Sequence, residues 1–487
     1  MSRSKAFYLL VVLTLFSTGL RAEVSLPKIL GNDMVLQRGQ PVPIWGTAAV
    51  DEKVSVTFGK QTKNTIADAS GNWKIMLDAM TASGKPATLT VSGTNTIKLE
   101  NILVGEVWVC SGQSNMSYEM RKNMKVAKPD TSTANSPVDE LERAHNPNIR
   151  IFLTTQKNLT IDKNPNHTGW NIAQDSALKA FSAAGYFFAK KLNQDLKVPI
   201  GIICSAISGS RIEPWMPEDA LANSGYFKSL GVDSAKGSGD HGKFYHRMIE
   251  PLAPFAIKGF LWYQGEANVT DTITYAHKML LLINSWRSLW NNQSLPFYYV
   301  QVVPYYYSKM KTTAVITPET EPAFWEAQTM VLKVPNTGMI QTTDLNDDVK
   351  NLHPPFKWEI GRRLALLALA KTYDEKNLIY SGPVYQSMKI NGNKITLDFK
   401  STGKGLESHN GKPLTYFTIA GADEKFVEAN ATIEGDKVIV SSPEVKSPTA
   451  VRFGWQEDAQ PNLFNKDGLP AMPFRTDNPL KFNPAEN

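Results

Sequence analysis

The middle of the chain alternates short apolar runs with helical patterns, and this alternation restricts the fold more than any other feature. Two of the helical patterns span residues 177–196 and 274–290. The apolar runs, rich in β-branched and aromatic residues, span residues 102–110, 199–207, 256–263, 297–303 and 338–342. Runs of this length are typical of buried strands, and strands that alternate with helices form parallel sheets. The region 102–375 is therefore predicted to be an α/β domain.

The regions on either side of this domain have a different pattern. Residues 23–101 contain short alternating runs separated by turn signals, and strand-and-turn patterning returns over residues 376–487. Regularly spaced short strands of this kind predict antiparallel β-sandwiches. A chain of 487 residues is also too long for a single core. The predicted fold class is α/β, a parallel sheet flanked by helices, with accessory β-sandwich regions at both ends.

The first 22 residues form a predicted signal peptide. Arg3 and Lys5 precede an apolar run over residues 6–16, and the short segment after it ends at Ala22. This run is too short to span a bilayer, and no later run is long enough to do so. We therefore expect an exported protein without a membrane span.

The charge balance and the cysteine count exclude further classes. Removing the signal peptide takes away three basic residues and no acidic ones, so the net charge falls from +6 to +3. A balance this small argues against nucleic acid as a partner. Cys110 and Cys204 are too few for a disulfide scaffold, and their apolar surroundings predict buried free thiols, with a single disulfide as the alternative. The sequence also contains no cluster of residues with the spacing of metal ligands. Neither a metal nor a cofactor is therefore expected.

Chemically useful residues follow the predicted strands at their carboxyl ends. Ser114 follows the first run, Gly209 the second, Gln264 the third, and His353 comes after the last. Because parallel strands end at one edge of the sheet, where ligands bind in open α/β folds, these four residues are expected to meet. Ester hydrolysis requires a nucleophile, a base and donors to the oxyanion. Ser114 is the predicted nucleophile and His353 the base, while the backbone N–H groups of Ser114 and Gly209 and the amide of Gln264 are the predicted oxyanion donors.

Longer blocks around these residues resemble the SGNH hydrolases, and within them the sialate O-acetylesterase family. The resemblance runs over nearly the whole chain after the signal peptide, and its two most specific blocks are Ser111-Gly112-Gln113-Ser114-Asn115-Met116 and Trp262-Tyr263-Gln264-Gly265-Glu266-Ala267-Asn268. It implies an SGNH-like sheet and the roles just given for Ser114, Gly209, Gln264 and His353. It also implies a serine esterase that removes acetyl groups from sugars, with O-acetylated sialic acid as the first choice of substrate.

The residue that would orient His353 departs from the family pattern. SGNH enzymes usually have an aspartate three residues before the histidine, or an acid two before it, whereas this chain has Lys350 and Asn351 there. Earlier acidic residues of the same loop are the candidate substitutes, namely Asp344, Asp347 and Asp348. The alternative is a Ser–His dyad assisted by a backbone carbonyl, because the acid mainly fixes the imidazole tautomer and stabilises the imidazolium.

Three residues near the predicted strand ends are candidates for binding the sugar. Sialic acid carries a carboxylate, so its site should hold a cation, and Arg211 lies two residues beyond Gly209. Glu266 and Asn268 are the other two candidates. A glycan on Asn115, within an Asn-x-Ser triplet, would cover this site, which favours a bacterial periplasm over a glycosylating secretory pathway.

Other functions remain open at the level of sequence. An acetylesterase for xylan or another acetylated polysaccharide would carry the same blocks. A glycoside hydrolase could pair Glu266 with one of the three aspartates just named, although this leaves Ser114 and His353 without a role. A carbohydrate-binding protein with an inactive centre is a third class, against which the complete set of catalytic residues counts. In each case the partner is a carbohydrate, and the sequence does not indicate an oligomeric state.

Overall fold

The computed structural model describes residues 23–125, 137–154, 169–231 and 241–486. The predicted signal peptide, residues 1–22, lies outside these ranges. Within them, no helix combines the length and the apolar character needed to cross a membrane. A parallel central sheet flanked by helices is accompanied by additional antiparallel sheets, so the predicted fold class is confirmed.

The amino-terminal region consists of short strands that form mainly antiparallel pairs. Its strands are β1 (Val35–Gln37), β2 (Val42–Thr47), β3 (Lys53–Phe58), β4 (Gln61–Ile66), β5 (Asn72–Leu77) and β6 (Ser83–Ser92). In β5 every second residue, Trp73, Ile75 and Leu77, is buried, and the residues between them are exposed. This period of two matches the pleat of a half-buried strand. β2 pairs with β5, and β3 pairs with β4 and β6.

The central sheet is parallel except at one edge. Its strands are β7 (Thr96–Gly112), β8 (Ile149–Leu153), β9 (Trp170–Ile172), β10 (Ile200–Ala206), β11 (Gly259–Tyr263), β12 (Phe297–Val300) and β13 (Thr337–Ile340). They lie in the order β13-β12-β11-β7-β10-β8-β9, with only β9 antiparallel to its neighbour. β7 is central, and the nucleophile candidate follows it directly.

β7 joins the amino-terminal region to the central sheet without a break. Its first half pairs antiparallel with β6, and its second half pairs in parallel with β10 and β11. Side chains alternate in exposure up to residue 101 and are all buried from Ile102 onward. This change matches the move from a half-solvated antiparallel sheet to a parallel sheet covered on both faces. The boundary predicted at residues 101 and 102 therefore lies inside one continuous strand.

Helices cover both faces of the central sheet. They are α1 (Glu140–Arg143), α2 (Asp175–Lys179), α3 (Ala183–Leu196), α4 (Ala220–Asn223), α5 (Gly225–Ser229), α6 (Ile273–Leu289), α7 (Thr320–Met330) and α8 (Lys357–Thr372). α3 and α8 pack together over one face, and α6 and α7 share a core with the amino-terminal strands on the other. Gly361 lets α8 approach α3 closely, because a Cβ atom there would lie 2.7 Å from the backbone nitrogen of Phe188.

The carboxy-terminal region has a core of its own. Its strands are β14 (Val384–Asn391), β15 (Lys394–Lys400), β16 (Leu406–Ser408), β17 (Phe417–Ala420), β18 (Val427–Glu428), β19 (Asn430–Glu434), β20 (Lys437–Ser441), β21 (Ala450–Phe453), β22 (Leu463–Asn465) and β23 (Phe474–Arg475). They form three antiparallel sheets. Gln460 hydrogen-bonds the carbonyl oxygen of Asn346, and the hydroxyl of Tyr306 donates to Asp458. The carboxy-terminal region thus packs against the segments that follow β12 and β13.

Cys110 and Cys204 lie side by side on β7 and β10, both buried and both as free thiols. This agrees with the expectation of buried thiols in apolar strands. Burial together with the neighbouring Cys204 thiol raises the pKa of Cys110 well above its ordinary value, so this thiol stays protonated.

Candidate active site

The carboxyl ends of β7 and β10 and the loop after β13 enclose a cavity of about 730 Å³. We call it the strand-end cavity. Its walls include Ser114, Gly209 and His353. Three of the four residues that were expected to meet at this edge of the sheet therefore line one cavity, as the parallel strand order requires.

The turn that carries Ser114 is held tightly against the end of β11. Gly112 has φ +134°, and a Cβ atom at this position would lie 2.1 Å from the carbonyl oxygen of Tyr263, so only glycine fits. The backbone N–H of Gln113 donates to that same carbonyl at 3.0 Å, and the N–H of Met116 donates to the carbonyl of Gln113 at 3.0 Å. Ser114 lies at the tip of this turn and remains partly exposed to the cavity.

Two backbone N–H groups are available beside the nucleophile. Within the described part of the chain, neither the N–H of Ser114 nor that of Gly209 donates to another backbone or side-chain group. Gly209 has φ +71°, a left-handed conformation that favours glycine, and it is exposed in the cavity wall. Both groups can therefore donate to an oxyanion formed at Ser114.

Gln264 corrects the predicted set of oxyanion donors. Its side chain is fully buried and does not line the cavity. The Nε2 atom donates to the carbonyl of Ser210 at 3.1 Å and to Oδ1 of Asn268 at 2.7 Å, while Oε1 accepts from the hydroxyl of Tyr275 at 2.8 Å. Both amide hydrogens are thus already bonded inside the protein. Gln264 supports the loop after β11 and has no donor left for an oxyanion.

The environment of His353 favours its neutral form. The side chain is partly buried in the cavity wall. Burial, together with the positive charges of Lys357 and Lys122, lowers the pKa of His353 below its ordinary value. A neutral imidazole is the form that can accept a proton from Ser114. Among the described residues, none donates a hydrogen bond to the imidazole ring or accepts one from it.

The three candidate aspartates do not orient the imidazole. Asp344 forms a two-pronged ion pair with Arg363 of α8, with distances of 2.8 and 2.5 Å. Asp348 accepts a hydrogen bond from the backbone N–H of Lys350 at 3.0 Å, and Asp347 is exposed at the surface. None of the three lines the cavity. The expectation that this loop supplies the acid is therefore corrected, because its best-placed carboxylate is already paired with a buried guanidinium.

Asn351 occupies one of the two positions where the family pattern has an acid. It stands two residues before His353 and lines the cavity, but its Oδ1 accepts a hydrogen bond from the backbone N–H of His353 at 3.0 Å. Asparagine side chains commonly bond the backbone two residues later in this way. The side chain therefore fixes the backbone of the histidine and does not reach the ring.

Arg211 and Asn268 belong to a polar network outside the cavity. Arg211 donates to Glu213 at 3.0 Å and to both carboxylate oxygens of Asp271 at 3.1 Å. Asn268 is fully buried and donates to Asp271 at 2.7 Å, and Lys278 joins both acids. Both side chains are thus engaged in a network away from the cavity, and their predicted roles in sugar binding are corrected.

Glu266 is likewise buried away from the cavity, so its predicted contact with sugar is corrected as well. It hydrogen-bonds Asn115, and burial raises its pKa above the ordinary value. A glycosidase carboxylate has to reach the glycosidic bond. Glu266 does not line the cavity, and this position weakens the glycosidase alternative.

Three residues near the cavity were not among the predicted site residues. Lys122 lines the cavity and has no carboxylate partner among the described residues. Asn115 and Lys357 are fully buried next to Ser114 and behind His353, and burial lowers the pKa of Lys357 to about 7. The sequence signals were proximity and, for one residue, the quoted block: Asn115 is adjacent to the nucleophile within that block, and Lys357 follows the histidine by four positions. Their burial could not be anticipated because lysine and asparagine are usually exposed.

The described residues contain no group of three or more histidine, cysteine or acidic side chains arranged to hold a metal ion.

Comparison with known proteins gives consistent matches. A family model described as carbohydrate esterase, sialic acid-specific acetylesterase, matches residues 104–370. Human sialate O-acetylesterase is 30% identical over 406 residues, which cover 76% of this chain and 75% of the human protein. The rat sialate O-acetylesterase is 27% identical over 453 residues, or 80% and 81% of the two chains. The crystal structure of a carbohydrate acetylesterase from Xanthomonas citri aligns with a TM-score of 0.80 at 34% identity, covering 93% of this chain and all of that one.

Proposed function

The chain belongs to the sialic acid-specific acetylesterase family of carbohydrate esterases, and from this membership we propose that Ser114 and His353 catalyse the hydrolysis of sugar O-acetyl esters. The observation that carries the proposal is that Ser114, His353 and two uncommitted backbone N–H groups share the strand-end cavity. The chain is an esterase of carbohydrates; the catalytic residues and the sugar are the parts proposed here.

The proposed reaction runs through an acetyl-enzyme. His353 accepts the proton of Ser114 while Oγ attacks the acetyl carbonyl carbon. The N–H groups of Ser114 and Gly209 donate to the oxyanion. The imidazolium then gives its proton to the departing sugar oxygen, which leaves as a hydroxyl. A water molecule next attacks the acetyl carbon while it loses a proton to the same imidazole, and return of that proton to Ser114 Oγ releases acetate. The proposal is a Ser–His dyad, because the candidate aspartates are engaged elsewhere.

Covalent labelling tests this assignment directly. Acetate release from a chromogenic acetyl ester should stop after treatment with a fluorophosphonate, and mass spectrometry should find the adduct on Ser114. A fluorophosphonate reacts with an activated serine because the nearby base raises its nucleophilicity. Full activity in the presence of the reagent, or an adduct on another serine that accounts for the loss, would remove Ser114 from the mechanism.

The proposal extends to an acidic sugar, with O-acetylated sialic acid as the substrate. Lys122 supports it, because this exposed lysine lines the cavity 5.2 Å from the ring centroid of Tyr118 and has no carboxylate partner among the described residues. A sugar carboxylate would supply that partner. Lys122 replaces Arg211 as the proposed cation. Acetylated xylan, which carries no such carboxylate on its xylose units, would leave Lys122 unpaired. Export through residues 1–22 would place the enzyme where extracellular glycans are processed.

Lys122→Met is expected to reduce the preference for a carboxylate-bearing substrate. The measurement compares kcat/KM for O-acetylated sialic acid and for its methyl ester, which differ only in the charge of the carboxylate. We expect the wild type to prefer the acid by about two- to fivefold, and the variant to lose that preference through a higher KM, since a partly exposed ion pair contributes about 1 kcal/mol or less.

Lys60→Met provides the matched control, because Lys60 is an exposed lysine in the turn between β3 and β4 that does not line the cavity. It should keep the preference of the wild type. If Lys122→Met discriminates between the acid and the methyl ester as the wild type does, the carboxylate is bound elsewhere or not at all.

A further inference from the structure

The backbone on both sides of His353 is tied to the residue that follows the nucleophile. Asn115 Nδ2 donates to the carbonyl oxygen of Leu352 at 3.0 Å. Lys357 Nζ donates to the carbonyl oxygen of Pro354 at 2.6 Å and to Asn115 Oδ1 at 2.8 Å. One lysine and one asparagine thus close a bridge between the turn after β7 and the histidine loop.

Burying the polar groups of this bridge costs free energy unless each donor has a hydrogen-bond acceptor. Lys357 has no exposed surface, and a buried ammonium loses its hydration energy. Its Nζ atom has two oxygen partners and also lies 4.9 Å and 5.4 Å from the ring centroids of Tyr118 and Tyr263. On its far side, Asn115 Nδ2 also donates to a carboxylate oxygen of Glu266. Buried polar clusters of this kind fix geometry more than they add stability.

Resting on the proposed Ser114–His353 chemistry, we propose that Asn115 and Lys357 are positioning residues that hold the histidine loop against the nucleophile in place of an orienting carboxylate. In a triad the acid holds the imidazole ring. Here the chain holds the histidine backbone instead, through the bonds to its two neighbouring carbonyls and through Asn351, which accepts from the N–H of His353. With the backbone held, the orientation of the imidazole ring depends only on the two side-chain torsion angles of His353.

The same bridge places a charge near the imidazole. The charged groups around His353 are Lys357 behind it and Lys122 across the cavity, while Glu119 lines the same cavity and pairs with Arg121. Glu266 lies beyond Asn115. Removing the Lys357 ammonium should ease protonation of His353, since one of the two cations that oppose it is gone. The shift of this titration reports the charge of Lys357 next to the imidazole, and the fall in kcat reports the position of the histidine loop.

The test replaces Lys357 by methionine, which keeps an unbranched side chain that is one atom shorter and removes the ammonium. We expect kcat per active site to fall at least about tenfold, because small displacements of a catalytic group cost rate steeply. We also expect the acid limb of kcat/KM to move to higher pH. Active-site titration with a fluorophosphonate normalises for folded enzyme, and a thermal melt reports the fold. Should the methionine variant fail to fold, Lys357→Gln, whose amide can still donate to a carbonyl, carries the same pH measurement.

Lys371→Met is the matched control. Lys371 lies in the last turn of the same helix and donates to the carbonyl oxygen of Thr337 at 2.8 Å, away from the cavity. It should leave both kcat and the acid limb unchanged. A folded neutral variant at position 357 with kcat within twofold of the wild type overturns the proposal, and so does a loss of kcat without a shift of the limb. Loss of activity on Ser114→Ala with no effect at position 357 would sink this inference alone and leave the proposed function standing.

Discussion

Replacing Ser114 with alanine is expected to reduce acetyl-ester hydrolysis by roughly 10⁴-fold or more, the size of effect seen when a nucleophile is removed from a serine hydrolase. The physical reason is that alanine has no atom to form the acetyl-enzyme, while substrate binding and the oxyanion donors persist. Residual activity should come from these remaining groups. The measurement is kcat/KM for an acetyl ester, with the thermal melt of the variant recorded beside it.

Ser111→Ala is the control for this variant. Ser111 belongs to the same sequence block, but it lies on β7, is fully buried, and its hydroxyl has no hydrogen-bond partner among the described residues. Deleting an unpaired buried hydroxyl should cost little stability and leave the activity within a fewfold of the wild type. If Ser114→Ala keeps as much as a tenth of the wild-type rate, another group is the nucleophile.

The sequence predicted the central sheet well because its signals are local. Apolar runs that end in glycine and polar residues mark buried strands, and the rule that parallel strands end at one edge brought Ser114, Gly209 and His353 to one cavity. The sequence pattern changes at residue 102, where the boundary was predicted, but it does not show that one strand continues across that point. The parallel partner β10 lies about a hundred residues further along the chain, so the continuity of β7 depends on a long-range pairing.

The candidate site was harder to predict, because the role of a polar side chain depends on its hydrogen-bond partner in the folded structure. Gln264 and Asp344 have suitable chemistry and suitable positions in the chain, yet each is bonded to a buried partner on another element. Conversely, no pattern in the sequence predicts the burial of Lys357, since lysine is rarely buried without a partner. The hydrogen-bond partner of a polar side chain depends on residues that are distant in sequence and close in the folded structure. The hydrophobic periodicity of the sequence therefore does not predict it.

The loop between β13 and α8 shows the same limit in one place. The sequence places Lys350 and Asn351 where the family has acids, and it predicts a substitute from earlier in the loop. The structure uses the loop differently, with Asp344 anchoring α8 through Arg363 and Asn351 bonded to the backbone of His353. An acid near the histidine in sequence is thus no evidence that its carboxylate faces the ring.

Replacing His353 with glutamine is the second change with a large expected effect. Without a base, the hydroxyl of Ser114 is a weak nucleophile at neutral pH, so we expect kcat/KM to fall by roughly 10³- to 10⁴-fold. Glutamine has polar atoms and a similar length, which limits damage to the loop. A thermal melt close to that of the wild type, together with this loss, would assign the effect to the chemistry of the imidazole.

The pH profile of the wild type gives an independent check on the same residue. Because burial and the charges of Lys357 and Lys122 lower the pKa of His353, the imidazole stays neutral at pH values where an ordinary histidine is already protonated. The rate should therefore rise through an acid limb that lies below about pH 6.5, the ordinary value. The limb should disappear in His353→Gln.

His246 offers a control of the opposite sign, since hydrogen bonds to Glu218 and Glu250 raise its pKa. A limb that lies above pH 6.5 and vanishes in His246→Gln but persists in His353→Gln would mean that His353 is not the base.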